Sequence, residues 1–379
     1  MENKLQATVD IGSMSCIMLI AAFEDAPAEK EQAPVQAETA DAANPGTDSN
    51  EADVKPEESG VKAEESGVKP KESGVKPRRI LVPKLQKVKI CKLGEDIYEH
   101  GRITEKKIQE LVDVMTSFRM DLHALGADLK AVAMTEAMRR AENQQEVIDA
   151  VEKALWFRPR IITGEEEAKL TFRSVKEWHG SDIVTIDIGG GSTELSNGET
   201  AFSIPVGALK MFKAMGPIPG PEYKKFVKET FKEVSFKGMT KKQVYLIGGT
   251  GTALAMVFLD KQKFDYKAIE GLEMSIADLD AVTTRISNLS KELRAMLPGL
   301  ENGRSDVIIC GLFWLKSLLE KLRVETFRIS TAGIRFGLLY PPEPEPEAKP
   351  KAKRTPPWLK KKAEEKSGSE TEGAATAED

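Results

Sequence analysis

The stretch TIDIGGGSTEL, residues 185–195, sets an apolar strand, a carboxylate, three glycines and two hydroxyl residues in a row. A shorter version, TVDIGSMSCIM, stands at residues 8–18. An aspartate closing a buried strand, followed by glycines that bare the N–H groups of the next turn, makes a place for phosphate and a hard cation. Glycine lets the backbone approach an anion without a Cβ in the way, and serine and threonine add hydroxyl donors. Two such turns in one chain predict a clamp.

Outward from these turns the chain alternates regularly. LQATVDIG and SCIMLIAAFE read as strands joined by a tight turn, and RRILVPKLQKVKIC as a third strand. A helix from Thr104 to about Leu125 follows, then the strand LKAVAMT, a helix from Glu136 to about Leu155, the strand PRIIT and a helix opening at Gly164. From Asp182 the order begins again with strands DIVTIDIGG, TELSNG and TAFSIPVG, then helices, the strand QVYLIGG and a helix from Thr250. This repetition predicts an α/β protein of two domains, residues 1–169 and 170–340, with a cleft between them where the strand ends collect ligand.

Two segments stand apart in composition. Residues 26–77 are rich in Ala, Glu, Pro, Ser and Gly, carry a charge of about −6, and contain VKPEESG, VKAEESG, VKPKESG and a final VKP. One valine per seven residues, with glycine and proline between, forms no coiled-coil seam, so a disordered insert is expected. The tail 341–379 is likewise biased toward Pro and charge and is expected to be disordered. With these set aside, the overall charge of −5 leaves a core near +2. The lysine-rich stretch from Lys210 to Lys242 then reads either as solvated helix faces or as an attraction for a polyanion.

The chain has 379 residues, 40% of them hydrophobic and 30% charged, which is the composition of a soluble globular protein. The start MENKLQATVDIG lacks the pattern of a signal peptide, and no apolar run approaches the roughly 20 residues of a membrane span, so a cytoplasmic protein without membrane contact is expected. Cys16, Cys91 and Cys310 are too scattered for a disulfide framework or a zinc site. They read as reduced core residues.

The candidate site residues follow from the loops. Gly12, Ser13 and Ser15 form a first phosphate loop, and Gly189, Gly190, Gly191 and Ser192 a second. Asp187 and Glu194 flank the second loop as hard oxygen ligands for Mg²⁺ or another divalent cation. Gly249 and Thr250, in GGTGT after a strand, open a helix and offer a third anion site. Arg139 opens a helix after a cleft-facing strand, where a guanidinium binds phosphate bidentately. Glu165, Glu166 and Glu167 stand in one helix turn, and His100, His123 and His179 lie away from every glycine loop, so a hydrolytic base here is a glutamate.

VDIGSMS, KLGEDIYEHGRIT, AMTEAMRRAEN, IITGEEEAKL, VTIDIGGGSTEL, IPVGALKM, LIGGTGTALA, LPGLENGRSDVIICG and AGIRFGLLY together resemble the exopolyphosphatase and guanosine pentaphosphate phosphohydrolase (Ppx/GppA) family. That family lies within the actin, Hsp70 and sugar-kinase superfamily, and the likeness spans nearly all of the chain outside insert and tail. It implies two actin-like (ribonuclease H-like) domains, the short form without further helical domains, and a divalent metal. It also implies a cleft that takes inorganic polyphosphate or guanosine pentaphosphate, with no specific nucleic acid as partner and with a homodimer left open. By the family pattern Gly-x-Glu-Glu-Ala, Glu167 is the catalytic glutamate. Asp187 and Glu194 match its metal-associated acids and Arg139 its chain-binding arginine.

This chain departs from the pattern at Met14 and Ile17, where the family has polar residues, and at Phe336, where it has an acid. A lost charged hydrogen bond weakens phosphate binding by about 1.5–3 kcal/mol. Slow hydrolysis or an altered preference is therefore the expectation. The rival readings are a catalytically weak protein that binds polyphosphate or alarmone, and an ATP-dependent phosphotransferase.

Overall fold

The computed structural model describes residues 4–25, 79–300 and 303–341. The expected insert with its repeats, and the tail after Pro341, lie outside the described residues. The first half runs β1 (Gln6–Ile11), β2 (Ser15–Asp25), β3 (Arg79–Ile90), α1 (Leu93–His100), α2 (Glu105–Leu125), β4 (Asp128–Met134), α3 (Glu136–Arg140), α4 (Gln144–Leu155), β5 (Arg160–Ile161) and α5 (Gly164–His179). The second half runs β6 (Ile183–Ile188), β7 (Thr193–Ser196), β8 (Ala201–Ile204), α6 (Ala208–Met215), α7 (Tyr223–Lys232), β9 (Gln243–Ile247) and α8 (Gly248–Leu259). It ends with α9 (Tyr266–Ile269), β10 (Glu273–Ser275), α10 (Ile276–Ser287), α11 (Lys291–Ala295), α12 (Arg304–Leu322), β11 (Thr326–Ile329) and α13 (Ile334–Gly337).

The strands form two sheets, one ordered β3-β2-β1-β4-β5 and one ordered β10-β11-β9-β6-β7-β8. In both, an antiparallel hairpin lies beside a parallel neighbour: β1 pairs with β2 and β4, and β6 with β7 and β9. The two-fold repetition read from the sequence is thus present as two actin-like halves. Each has its own core. The first buries Val9, Met18, Leu111, Phe118 and Val147 between its sheet and α2 and α4. The second buries Ile186, Leu246, Leu254, Leu315 and Trp314 between its sheet and α8, α10 and α12. A third cluster joins the halves through Leu19 and Leu81, Phe172 and Val175 of α5, Tyr245 and Ile247, and Phe336. The expected boundary at residue 169 falls inside the continuous helix α5.

The predicted helix from Glu136 to about Leu155 is two helices, α3 and α4, and this corrects the sequence reading. The break has a side-chain cause. Asn143 accepts from the Ile103 N–H and donates to the Ile103 carbonyl, both at 2.9 Å, while the Glu142 N–H donates to the Gly101 carbonyl. Satisfying that distant backbone outweighs three residues of helix, and Ala141 turns extended.

Capping follows the expected chemistry elsewhere. Thr104 caps α2, and Thr163 caps α5 by accepting from the Glu166 N–H. Pro83 sits in β3, an edge strand, where the register with β2 shifts and the missing N–H costs least. No helix among the described residues is long and apolar enough to cross a membrane.

Strands β2 and β3 meet at their open end, with Asp25 and Arg79 as partners. Replacing residues 26–78 by Asn-Gly should therefore close the hairpin and keep the thermal midpoint at or above that of the full chain, since a short loop costs less closure entropy. A fall of more than about 5 °C, worth about 2 kcal/mol in a fold of this size, would show that residues 26–78 stabilise the fold.

Candidate active site

The two Asp-Ile-Gly turns close in the same way. The Gly12 N–H donates to the Ser15 carbonyl at 2.9 Å, and the Gly189 N–H to the Ser192 carbonyl at 3.0 Å. Their other carbonyls are fastened to the start of the helix that follows. Ser13 O accepts from the Gly94 N–H of α1 at 2.8 Å, and Met14 O from the Cys91 and Lys92 N–H groups. In the second loop Gly189 O accepts from Ala208 of α6, and Gly190 O from Leu209 and Lys210. Carbonyls that would repel an anion are thereby committed to helix amides. Thr250 Oγ1 of α8 adds a bond to the Ile188 carbonyl, and the buried Trp314 of α12 donates to Thr193 Oγ1 at 3.0 Å.

Between the loops lies a cavity of about 120 Å³. Gly12, Ser13, Ser15, Gly189, Gly190, Gly191, Ser192, Gly249, Thr250, Asp187 and Glu167 line it, so eleven of the thirteen residues singled out in the sequence converge there. Arg139 and Glu194 stand behind its wall. Arg139 Nη1 bonds Glu167 Oε2 at 3.0 Å and the Ile162 carbonyl at 2.9 Å, and its Nη2 lies 3.9 Å from Glu194 Oε1. Glu194 is buried and accepts from Ser203 Oγ at 2.7 Å and from Ser192. In this structure Arg139 acts on acids rather than on the cavity, and Glu194 orients a loop hydroxyl.

The three glutamates at the start of α5 separate cleanly. Glu165 pairs with Lys169 on the surface, Glu166 pairs with Arg160, and Glu167 turns into the cavity, 8% exposed. Residues one apart on a helix point about 100° apart, so one alone faces the site.

Burial governs the charges. Desolvation pushes Asp10 up to about 7, Asp187 up to about 6 and Glu194 up to about 8, and it lifts Glu167 well above the usual carboxylate range. The acids also raise one another: Glu194 acts on Glu167, and Asp187 on Asp10 and Glu194. Arg335 opposes this for Asp10 and Asp187, and Arg139 for Glu167 and Glu194.

Among the described residues no three His, Cys, Asp or Glu side chains stand close enough to hold a metal by themselves. Asp10 and Asp187 both line the cavity, and the buried Oδ1 of Asp10 finds no hydrogen-bond partner. Two carboxylates with an unmet oxygen fit Mg²⁺, which takes one or two protein carboxylates and completes its shell with water and phosphate.

Several lining residues were not singled out as site residues in the sequence. Asp10 stood in the first motif without a role, although it occupies the place in its hairpin that Asp187 occupies in the other. Arg335 lies 3.9 Å from Asp10 Oδ2 and is buried, and Arg304 also faces the cavity. Both arginines were written in the quoted motifs LENGRSD and AGIRF, and only the fold turns them inward. Glu136 lines the cavity as well. Both arginines continue into an adjoining groove of about 850 Å³ that Lys89, Lys92, Met256 and Phe264 also line.

The departures from the family pattern have separate explanations. Ile17 faces Asp10 across its hairpin as Glu194 faces Asp187, so an apolar residue stands where the second half has a carboxylate. Met14 packs on Ala208, Leu209 and Val307, sealing the first loop against α6. Phe336 is buried against Trp178, with ring centroids 5.1 Å apart, and belongs to the core.

With this geometry in place, the model of the Ppx/GppA phosphatase family matches residues 76–345, more than half of the chain. The chain belongs to that family. Over 259 residues it is 29% identical to exopolyphosphatase 1 of Mycobacterium leprae, covering 63% of this chain and 75% of that one. Exopolyphosphatase 1 of Mycobacterium tuberculosis is 27% identical over 268 residues, covering 65% and 77%. Among solved structures, an exopolyphosphatase from Cytophaga hutchinsonii superposes with a TM-score of 0.67 at 17% identity, covering 89% of this chain and 97% of that one. The Ppx/GppA family member of Aquifex aeolicus superposes with a TM-score of 0.63 at 22% identity, covering 89% and 96%. These likenesses support the fold. Family and sequence relatives together make this chain a phosphate-releasing hydrolase.

The second loop depends on a close approach at Gly207, just before α6. A Cβ there would lie 2.5 Å from the Gly190 carbonyl carbon and 2.6 Å from the Gly189 oxygen. Gly207→Ala should cost about 1–3 kcal/mol in urea denaturation and weaken phosphate release. Unchanged stability would show that the loop is not seated on this glycine.

Proposed function

We propose that this chain removes terminal orthophosphate from inorganic polyphosphate, with Glu167 as the base that activates water. The observation that carries the reading is the placement of Glu167: a buried glutamate in the cavity wall, facing both glycine loops, with one oxygen held by Arg139. The relatives named exopolyphosphatase favour polyphosphate as the substrate class. The groove with Lys89, Lys92, Arg304 and Arg335 suits an extended polyanion beyond the terminal unit. Guanosine pentaphosphate is the second substrate to offer.

In the proposed mechanism the N–H groups of both loops and the hydroxyl of Ser13 bind the terminal phosphoryl group. Asp10 and Asp187 would hold a divalent cation, which when bound neutralises charge on the phosphoryl oxygens in a loose transition state. Arg139 fixes Glu167 Oε2, leaving Oε1 to orient the water and take its proton. Arg139 is thus a positioning residue. Glu194 holds the Ser192 hydroxyl. A shortened chain and orthophosphate leave, and the proton passes from Glu167 to solvent.

Purified protein with Mg²⁺ and polyphosphate should release orthophosphate steadily, and Glu167→Gln should lower turnover by about 10²–10⁴ with little change in the Michaelis constant. Turnover that survives this substitution would remove Glu167 from the chemistry, and phosphate release that requires an acceptor nucleotide would favour a transferase.

The pH profile gives an independent check. Glu167 works as a base only when ionised, and its raised pKa places the acid limb of turnover above the ordinary carboxylate range. The Arg139 guanidinium favours the ionised form, so Arg139→Gln should move that limb to still higher pH. A limb that stays in place would mean that another group sets it.

A further inference from the structure

Glu136 is a carboxylate placed among phosphate-binding groups. Its Oε2 accepts from Ser13 Oγ of the first loop at 2.9 Å, and its Oε1 takes Arg140 Nη1 at 3.2 Å. The same Oε2 lies 2.0 Å from where a Cβ on Gly191 would stand, so it fills the hollow left by the missing side chain in the second loop. Nearby, the Lys210 ammonium donates to the Pro205 carbonyl at 2.5 Å, and burial first and Arg140 second lower its pKa while Glu136 raises it. The Arg140 guanidinium itself rests 4.9 Å over the Tyr98 ring. A hydroxyl, a bare stretch of backbone, a guanidinium and an ammonium make up the donor set of an anion site, and here the chain's own carboxylate sits in it.

We propose that Glu136 is a resident anion that an incoming phosphoryl group must displace from Ser13 and Gly191. It lies 7% exposed in the cavity wall, with a surface-reaching partner in Arg140 that can follow it aside. Displacement costs the Ser13 hydrogen bond and part of the Arg140 pairing. A ligand recovers this only by bringing charge of its own to Ser13, Arg140 and Lys210. A polyphosphate chain, which also engages the groove, does so more fully than a single orthophosphate. Glu136 therefore sets specificity, weakening the hold on the product more than the hold on the substrate.

The inference rests on the reading of the two glycine loops as phosphate sites, and its test is separate from turnover. Orthophosphate binding is measured by calorimetry on wild type and on Glu136→Gln, and polyphosphate kinetics are followed on both. The substitution should tighten orthophosphate binding at least tenfold, strengthen product inhibition and lower the apparent Michaelis constant without raising kcat. Equal orthophosphate affinities would overturn the proposal. So would a large loss of kcat with unchanged phosphate affinity, which would give Glu136 a part in the chemistry. Should Glu136→Gln not fold, Glu136→Asp, which keeps the charge but draws it back from Ser13, should show a smaller tightening, and none would contradict the proposal. Tighter orthophosphate binding without polyphosphate turnover in either protein would uphold the resident anion and overturn the substrate reading.

Discussion

Glu194 and Glu167 are buried and Asp10 and Asp187 half-buried carboxylates at the meeting point of two sheets, and the guanidiniums of Arg139 and Arg335 reach them. Taking each charge out of water costs several kcal/mol even after relaxation, and the two guanidiniums offset only part of it. The site therefore draws protons or cations in the free protein, and the raised acids are the expression of that deficit. Most of the surrounding structure holds this arrangement together. Strands end at the aspartates, helices α1 and α6 take up the loop carbonyls, and α12 and α8 brace the second loop from behind. A polyanion that arrives with a divalent cation matches what such a cluster lacks.

The two halves are built alike and differ where chemistry requires it. Both hairpins carry an aspartate at equivalent register and close with the same hydrogen bond, yet the partner across the strand is Ile17 in one and Glu194 in the other. The first loop thereby becomes the apolar-backed one, sealed by Met14, while the second holds the hydroxyl network of Ser192, Glu194 and Ser203. The missing acid at Phe336 has a plain physical reading: that side chain is a core residue between α5 and the second sheet. It reports on packing between the halves rather than on loss of a ligand.

Much of this was legible in the sequence because strand ends and glycine turns are local. An apolar run closing on Asp-Ile-Gly announces its own hairpin, and the repetition from Asp182 announces the second half. What stayed hidden depends on contacts far apart in the chain. The break at Ala141 comes from Asn143 clamping Ile103, 40 residues away, and helix propensity carries no sign of it. Glu166 and Glu167 are equivalent to a reader of helical periodicity until α5 is set against the cleft. Arg335 and Glu136 enter the site only because α13 packs on β1 and α3 packs beside the first loop. The pairing of Arg139 with Glu167 likewise joins two elements that the sequence presents as separate helix starts.

The central claim is that the two turns form one anion clamp. A crystal structure of the protein grown with Mg²⁺ and tungstate, with the tungsten located by its anomalous scattering, tests it most directly. The account predicts a tetrahedral oxyanion within hydrogen-bond distance of backbone N–H groups from both the Gly12–Ser15 and the Gly189–Ser192 turns, with Glu167 on its open side. An anion held by one turn alone, or seated only in the groove beside Lys92, would contradict it.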